Sequence, residues 1–146
     1  MVGDEVKILP WRTDEVVLIA PPGHPLAQKR QVQLKDVAKQ HFIFRESGSA
    51  TRVAVNEKLR SLDLQLDAVM EMNNPEAVKQ AVRAGLGVAF LSRFAVAAEL
   101  KSGTLVVLKA RGLAIHRELK IAYRKDKHLS RAAQAFIEVA RQSSAE

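Results

Sequence analysis

Seven consecutive residues, Glu46-Ser47-Gly48-Ser49-Ala50-Thr51-Arg52, put three hydroxyls, a glycine and a guanidinium into one short segment behind Arg45. Hydroxyls and guanidinium donors bind oxyanions, and glycine lets the backbone turn inward. Set between a strand and a helix, such a segment also borrows the unpaired N–H groups and partial positive charge of the helix N-terminus. A second polar pair, Asn73-Asn74, stands before Pro75-Glu76 and repeats the device. The chemistry this favours is recognition of a small anion. The same residues also fit plain helix capping, by Ser47 or Ser49 in the first segment and Asn73 or Asn74 in the second, with Glu76 nearby. One residue can cap while its neighbours face a ligand, so the two readings are compatible.

Other chemistries find little support. Gly85-Leu86-Gly87-Val88-Ala89-Phe90 opens like a dinucleotide fingerprint, but Phe90 stands at the third glycine. It also follows a helix and precedes a strand, the reverse of the required context. Its glycines fit a helix stop and a close chain approach. There is no Cys, and His24, His41, His116 and His128 form no metal-ligand spacing. His24 fits the ordering of a turn. No G-x-S-x-G elbow is present. No catalytic residue, metal site or cofactor is expected. Phe42, Phe44, Met70 and Met72 are assigned to the core.

The two polar segments need a scaffold, and the hydrophobic pattern supplies one. Strands are predicted over 14–20, 42–45, 67–72, 88–91, 104–108 and 119–124. In the third of these, Ala68, Met70 and Met72 fall on one side. A short amphipathic turn covers 34–40. Helices are predicted over 51–62, over 75–84 with Pro75 at its first position, from Ser92 to 100, and after Ser130. The last carries Ala133, Phe136, Ile137 and Ala140 on one stripe. Alternating strands and helices predict an α/β fold with helices covering a largely parallel sheet. Two helix N-termini at the carboxyl edge of neighbouring strands would then face one crevice.

The chain has 146 residues, with 47% hydrophobic and 27% charged, which excludes disordered and low-complexity classes. The apolar runs 16–22 and 84–91 are too short to span a bilayer, and no signal-like segment opens the chain. A cytoplasmic location is expected. The net charge is +7, and all of the excess lies beyond residue 73. Residues 101–131 hold nine Lys or Arg against Glu118 and Asp126. A solvated polar face explains this best, with anion attraction second.

Four segments are familiar in order. Val17-Leu18-Ile19-Ala20-Pro21-Pro22-Gly23-His24-Pro25-Leu26-Ala27 resembles the entry to the second subdomain of LysR-type transcriptional regulators. Residues 46–52 resemble the family's effector loop, 76–91 its most recognisable stretch, and 129–136 its final helix. Gly48-Ser49-Ala50-Thr51-Arg52 and Lys79-Gln80-Ala81 are most similar to regulators of carbon-dioxide-fixation operons. The resemblance implies a periplasmic-binding-protein-like (type II) effector domain, two α/β subdomains joined by two crossover strands. Residues 24–112 would form a complete second subdomain, and 1–23 with 113–146 a truncated first. The winged helix-turn-helix that precedes this domain in the family is not matched, so DNA binding is expected only through that absent domain.

The function so implied is effector sensing: a small anionic metabolite, such as a phosphorylated sugar or a nicotinamide phosphate, held by Glu46, Ser47, Gly48, Ser49, Thr51, Arg52, Asn73 and Asn74 in an inter-subdomain cleft. A truncated subdomain would leave apolar surface uncovered, so self-association, as in a dimer, is expected. The rivals are a transport solute-binding protein of the same fold, an enzyme, and direct nucleic-acid binding through residues 101–131.

Overall fold

The computed structural model describes residues 5–143. In chain order the elements are β1 (Val6–Ala20), a 3-10 turn (Pro25–Gln28), α1 (Leu34–Val37), β2 (His41–Arg45), α2 (Ala50–Ser61), β3 (Asp67–Met72), α3 (Pro75–Arg83), β4 (Val88–Ser92), α4 (Ala97–Ser102), β5 (Val106–Val107), β6 (Ile115–Arg124) and α5 (Arg131–Gln142). The chain divides into two compact units. One is Glu15–His116; the other takes the chain up to Asp14 and from Arg117 onward. β1 and β6 each run through both.

The sheet of the larger unit has the order β3-β2-β4-β1-β5, with β6 also paired to β1. β3, β2 and β4 are mutually parallel, but β1 runs antiparallel to both β4 and β5. The sheet is therefore mixed where the alternation of elements predicted a largely parallel one. Alternation counts crossovers between consecutive elements; it carries no information on a strand that enters from the other unit.

Successive residues of the central strands bury on opposite faces, which is why these strands are continuously apolar. Val16, Leu18, Phe42, Phe44, Val88 and Phe90 join one core with Val55 and Leu59 of α2. Val17, Ile19, Ile43, Ala89 and Leu91 join the other with Val78, Ala81 and Val82 of α3. The Phe42 ring stacks on Phe44 at 5.5 Å and on Phe90 at 5.7 Å. α3 ends at Gly85, φ +79°, with the Leu86 amide returning to the Ala81 carbonyl. Two residues on, a Cβ at Gly87 would stand 2.6 Å from the His41 carbonyl oxygen, so only glycine lets β4 enter beside β2.

Three expectations need correction. Ser92 does not cap a helix; it is the last residue of β4, paired with Val16, and the ladder continues through Arg93 N–H to the Glu15 carbonyl. Pairing with β1 outcompetes capping, and α4 begins only at Ala97. In β3 the register with β2 slips at Val69, so Met70 and Met72 pack on the α3 face. Ala68 instead lines a hollow with Phe44 and Leu59.

The third correction concerns α5. Ala133, Ile137 and Ala140 are half-buried, but Phe136 is 69% exposed, as is Val139 at 64%. Within this unit the Trp11 indole donates to the Ala140 carbonyl at 2.6 Å, and Arg12 donates to the Ser143 carbonyl at 2.8 Å. These groups satisfy carbonyls that the end of a helix leaves unpaired.

Candidate functional site

β2 and β3 are parallel and end level, with Arg45 opposite Met72. The ladder extends one bond further, from the Glu46 amide to the Met72 carbonyl at 3.2 Å. The segments after the two strands therefore lie side by side at the carboxyl edge of the sheet. From there α2 departs over one face and α3 over the other.

Ser49 is the N-cap of α2: its Oγ accepts from the amides of Thr51 at 3.2 Å and Arg52 at 3.4 Å. Its own amide donates to the Glu46 carbonyl at 3.0 Å, closing a turn that leaves Ser47 and Gly48 exposed at the tip. The amides of those two residues take no hydrogen-bond partner among the described residues. Asn74 is the N-cap of α3, with Oδ1 accepting from Glu76 N–H at 2.7 Å and Ala77 N–H at 3.4 Å. Pro75 has no N–H to offer. Each helix is thus closed by its own cap, and the amides of Ser47 and Gly48 stand without a partner in an exposed turn just ahead of α2. Asn73 is exposed beside it, and Thr51 is buried.

The charged members are already paired. Glu46 accepts from Arg45 Nε at 2.9 Å and Nη2 at 3.0 Å, and this guanidinium holds its carboxyl below the usual range. Arg52 turns away from the loop tip. Its Nη1 donates to the Arg45 carbonyl at 3.1 Å and its Nε to Asn56 Oδ1 at 3.0 Å, with the Phe44 ring 4.0 Å beneath. With Arg45 neutralised by Glu46, the positive potential at the loop comes mainly from the start of the 12-residue α2. Glu76 does not complete a capping box. It pairs with Lys79 at 2.7 Å and accepts from Gln80 at 2.9 Å, and Lys79 is the main cause of its lowered pKa.

Two features went unread in the sequence. Lys79 is buried and reaches across to Glu99 at 2.9 Å and to the Ala95 carbonyl at 3.1 Å, fastening α3 to α4. The hydrogen bonds it donates to Glu76 and Glu99 raise its pKa, and Lys79 in turn lowers that of Glu99. The helical spacing of Glu76 and Lys79 was a signal for the first contact; nothing local points to the second. The other feature is a cavity of about 490 Å³ in the larger unit beside β1, whose lining includes Lys109 and the Arg93–Glu15 ion pair at 2.8 Å. Its lining includes none of the residues of the two loops.

His24 orders the turn after β1. Its Nδ1 accepts from the Leu26 amide at 3.1 Å, which leaves Nε2–H to donate to Gln40 Oε1 at 3.1 Å. Among the described residues no three His, Asp or Glu side chains gather as metal ligands, and no helix is long and apolar enough to cross a membrane.

Residues 2–145 match the family model described as the LysR substrate binding domain. The chain is 37% identical over 134 residues to the HTH-type transcriptional activator CmpR of Synechocystis sp. and 40% identical over 134 residues to the RuBisCO operon transcriptional regulator of Allochromatium vinosum. Each alignment covers 92% of this chain and 44% of the relative, so the chain spans less than half the length of these proteins. Among solved structures, the CcmR regulatory domain of Synechocystis PCC6803 in complex with 2-PG superposes with a TM-score of 0.86 at 28% identity, over 99% of this chain and 69% of that one. The QuiR effector binding domain in complex with shikimate gives 0.81 at 20% identity, over 99% of this chain and 68% of that one, which speaks for the fold alone.

Proposed function

Because the chain belongs to the LysR substrate-binding domain family, we propose that it is the effector-sensing part of a transcriptional regulator, and that a small anionic metabolite binds at the turn leading into α2. The observation that carries the site is the pair of unpartnered amides at the exposed Ser47 and Gly48, set ahead of a helix whose cap is Ser49. Backbone donors fixed by a turn and backed by a helix dipole suit a carboxylate or phosphate. Asn73 and Asn74 add side-chain amide donors from the adjoining segment. Glu46 and Arg52 serve by holding the end of β2, and Thr51 by anchoring the first turn of α2.

The CcmR domain holds 2-PG, so that compound leads the list to test here, followed by phosphorylated sugars and nicotinamide phosphates. We assign residues 24–112 to the family's second subdomain and 1–23 with 113–146 to parts of its first, residues 1–4 and 144–146 lying outside the described ones. The exposed Phe136 and Val139 support self-association through that part. DNA contact is assigned to a separate domain of the whole regulator, and the location to the cytoplasm. The relatives are transcriptional regulators, which disfavours the transport reading and the enzyme reading.

A thermal-shift screen with these acids tests the proposal. A ligand at a hundredfold excess over its Kd stabilises the native state by about 2.7 kcal/mol, so a selective rise in Tm is expected. Ser49→Ala with Thr51→Ala, made in the full-length regulator, is expected to reduce effector affinity. Unchanged affinity for every effector in that variant sinks the site assignment.

A further inference from the structure

The cavity beside β1 lies apart from the two loops, and its construction points to a ligand of its own. Its apolar wall includes Val16, Leu18 and Leu113, all buried in the larger unit's core. Its rim carries Arg30, Lys109 and Arg111. All three are exposed, and none has a carboxylate within ion-pair distance among the described residues. The lining's one carboxylate, Glu15, is taken by Arg93 at 2.8 Å.

The rim is held by backbone, not by chance of side-chain placement. The Val32 amide donates to the Lys109 carbonyl at 2.8 Å, and Val32 bridges Ala110, which fastens the segment carrying Arg30 to the one carrying Arg111. The Leu113 amide returns to the Ala110 carbonyl at 3.1 Å around Gly112, φ +81°, so Arg111 stands at the corner of a tight turn. Three exposed cations carried on backbone-paired segments thus border an apolar hollow, a setting that suits a ligand with two properties. The ligand must bring negative charge to the rim and an apolar body to the wall.

We propose that this cavity is a second anion site, selective for a small molecule that joins an apolar body to one anionic head, of the aryl or alkyl phosphate or carboxylate class. A bare inorganic anion meets only the rim. A duplex backbone meets the rim but has no apolar body to insert.

The test uses phenyl phosphate as the probe, with inorganic phosphate and a short DNA duplex as comparators. Titration of the ¹⁵N-labelled protein is expected to move the amides of 109–114 and 15–18, while those of 47–52 stay in place. Calorimetry is expected to show one-site binding of phenyl phosphate, with inorganic phosphate weaker by about tenfold or more. Lys109→Glu combined with Arg111→Glu is expected to weaken phenyl phosphate by a similar factor. Both side chains are exposed, so the melt should be retained; if this pair fails to fold, Arg30→Glu carries the same expectation. Four outcomes overturn the proposal: no saturable binding, shifts centred on 47–52 and 73–76, equal affinity for inorganic phosphate, or displacement of the probe by duplex at matched phosphate concentration.

Discussion

The guanidinium of Arg52 sits 4.0 Å from the centre of the Phe44 ring while its Nη1 holds the Arg45 carbonyl at 3.1 Å. The first turn of α2 is thereby clamped to the last turn of β2. Arg52→Ala removes the stack and leaves that carbonyl without its donor, at an expected cost of about 1–2 kcal/mol. Arg52→Lys should restore only part of this, because an ammonium cannot stack its plane on the ring. Urea denaturation of the three proteins decides it; equal midpoints would show that the clamp contributes nothing.

The two N-caps allow stability and binding to be separated. Asn74→Ala loses both hydrogen bonds at the start of α3 and should cost about 1 kcal/mol. Asn74→Asp keeps the cap and places a negative charge at a helix N-terminus, a gain of about 0.3–1 kcal/mol. That same charge faces the proposed anion, so affinity should fall as Tm rises. Parallel movement of the two quantities would show that Asn74 does not border the ligand.

Lys79 is expected to be the most sensitive charged position in the larger unit. Lys79→Met leaves Glu99, half-buried and with an Oε2 that already lacks a partner, without its cation. The expected loss is about 2 kcal/mol, and Lys79→Met with Glu99→Gln should recover much of it. The pH dependence follows from the directions of the shifts. The lowered pKa of Glu99 gives stability that is present above its unfolded value of about 4.3 and is lost as pH falls through the folded one. The raised pKa of Lys79 gives stability that is present below about 10.4 and is lost as pH rises through its folded value. Chemical denaturation across pH should therefore show a plateau between these limits, and Lys79→Met should remove this pair's contribution at both ends.

The two glycines after α3 predict different penalties for the same substitution. Gly85→Ala strains a backbone at φ +79° but meets no atom, so about 1 kcal/mol is expected. Gly87→Ala drives a methyl into the His41 carbonyl oxygen, and either β4 moves or the pairing fails. About 2–3 kcal/mol is expected. Thermal melts that rank the two the other way would contradict the geometry.

Local chemistry made much of this legible. Val, Ile and Phe runs marked the doubly buried strands, Ser130 announced α5, and the pairs Ser47/Ser49 and Asn73/Asn74 announced α2 and α3, with Ser49 and Asn74 the observed caps. What stayed hidden depends on distant partners. The first half of β1 carries Pro10 inside its short apolar run, which argues against a strand from sequence, and β6 pairs with β1 in the fold. Ser92 could cap or pair, and only the position of Val16 decides. At the candidate site the capping serines and asparagines were readable as types, but the retreat of Arg52 onto Phe44 was not. That depends on side-chain packing seven residues from Arg45 and eight from the ring. The rim of the second cavity joins Arg30 to Arg111 across some eighty residues of chain, beyond the reach of any periodicity.

Because β2 and β4 bury residues on both faces, neither strand has a side chain to spare over Phe42–Phe44 and Val88–Leu91. Chemical novelty in this scaffold must therefore arise where those strands stop. On the proposals above, substitutions at 46–48, 73, 109 and 111 would change the ligand while leaving both cores and both helix caps in place. The same separation would let a lineage exchange one ligand for another and keep its architecture.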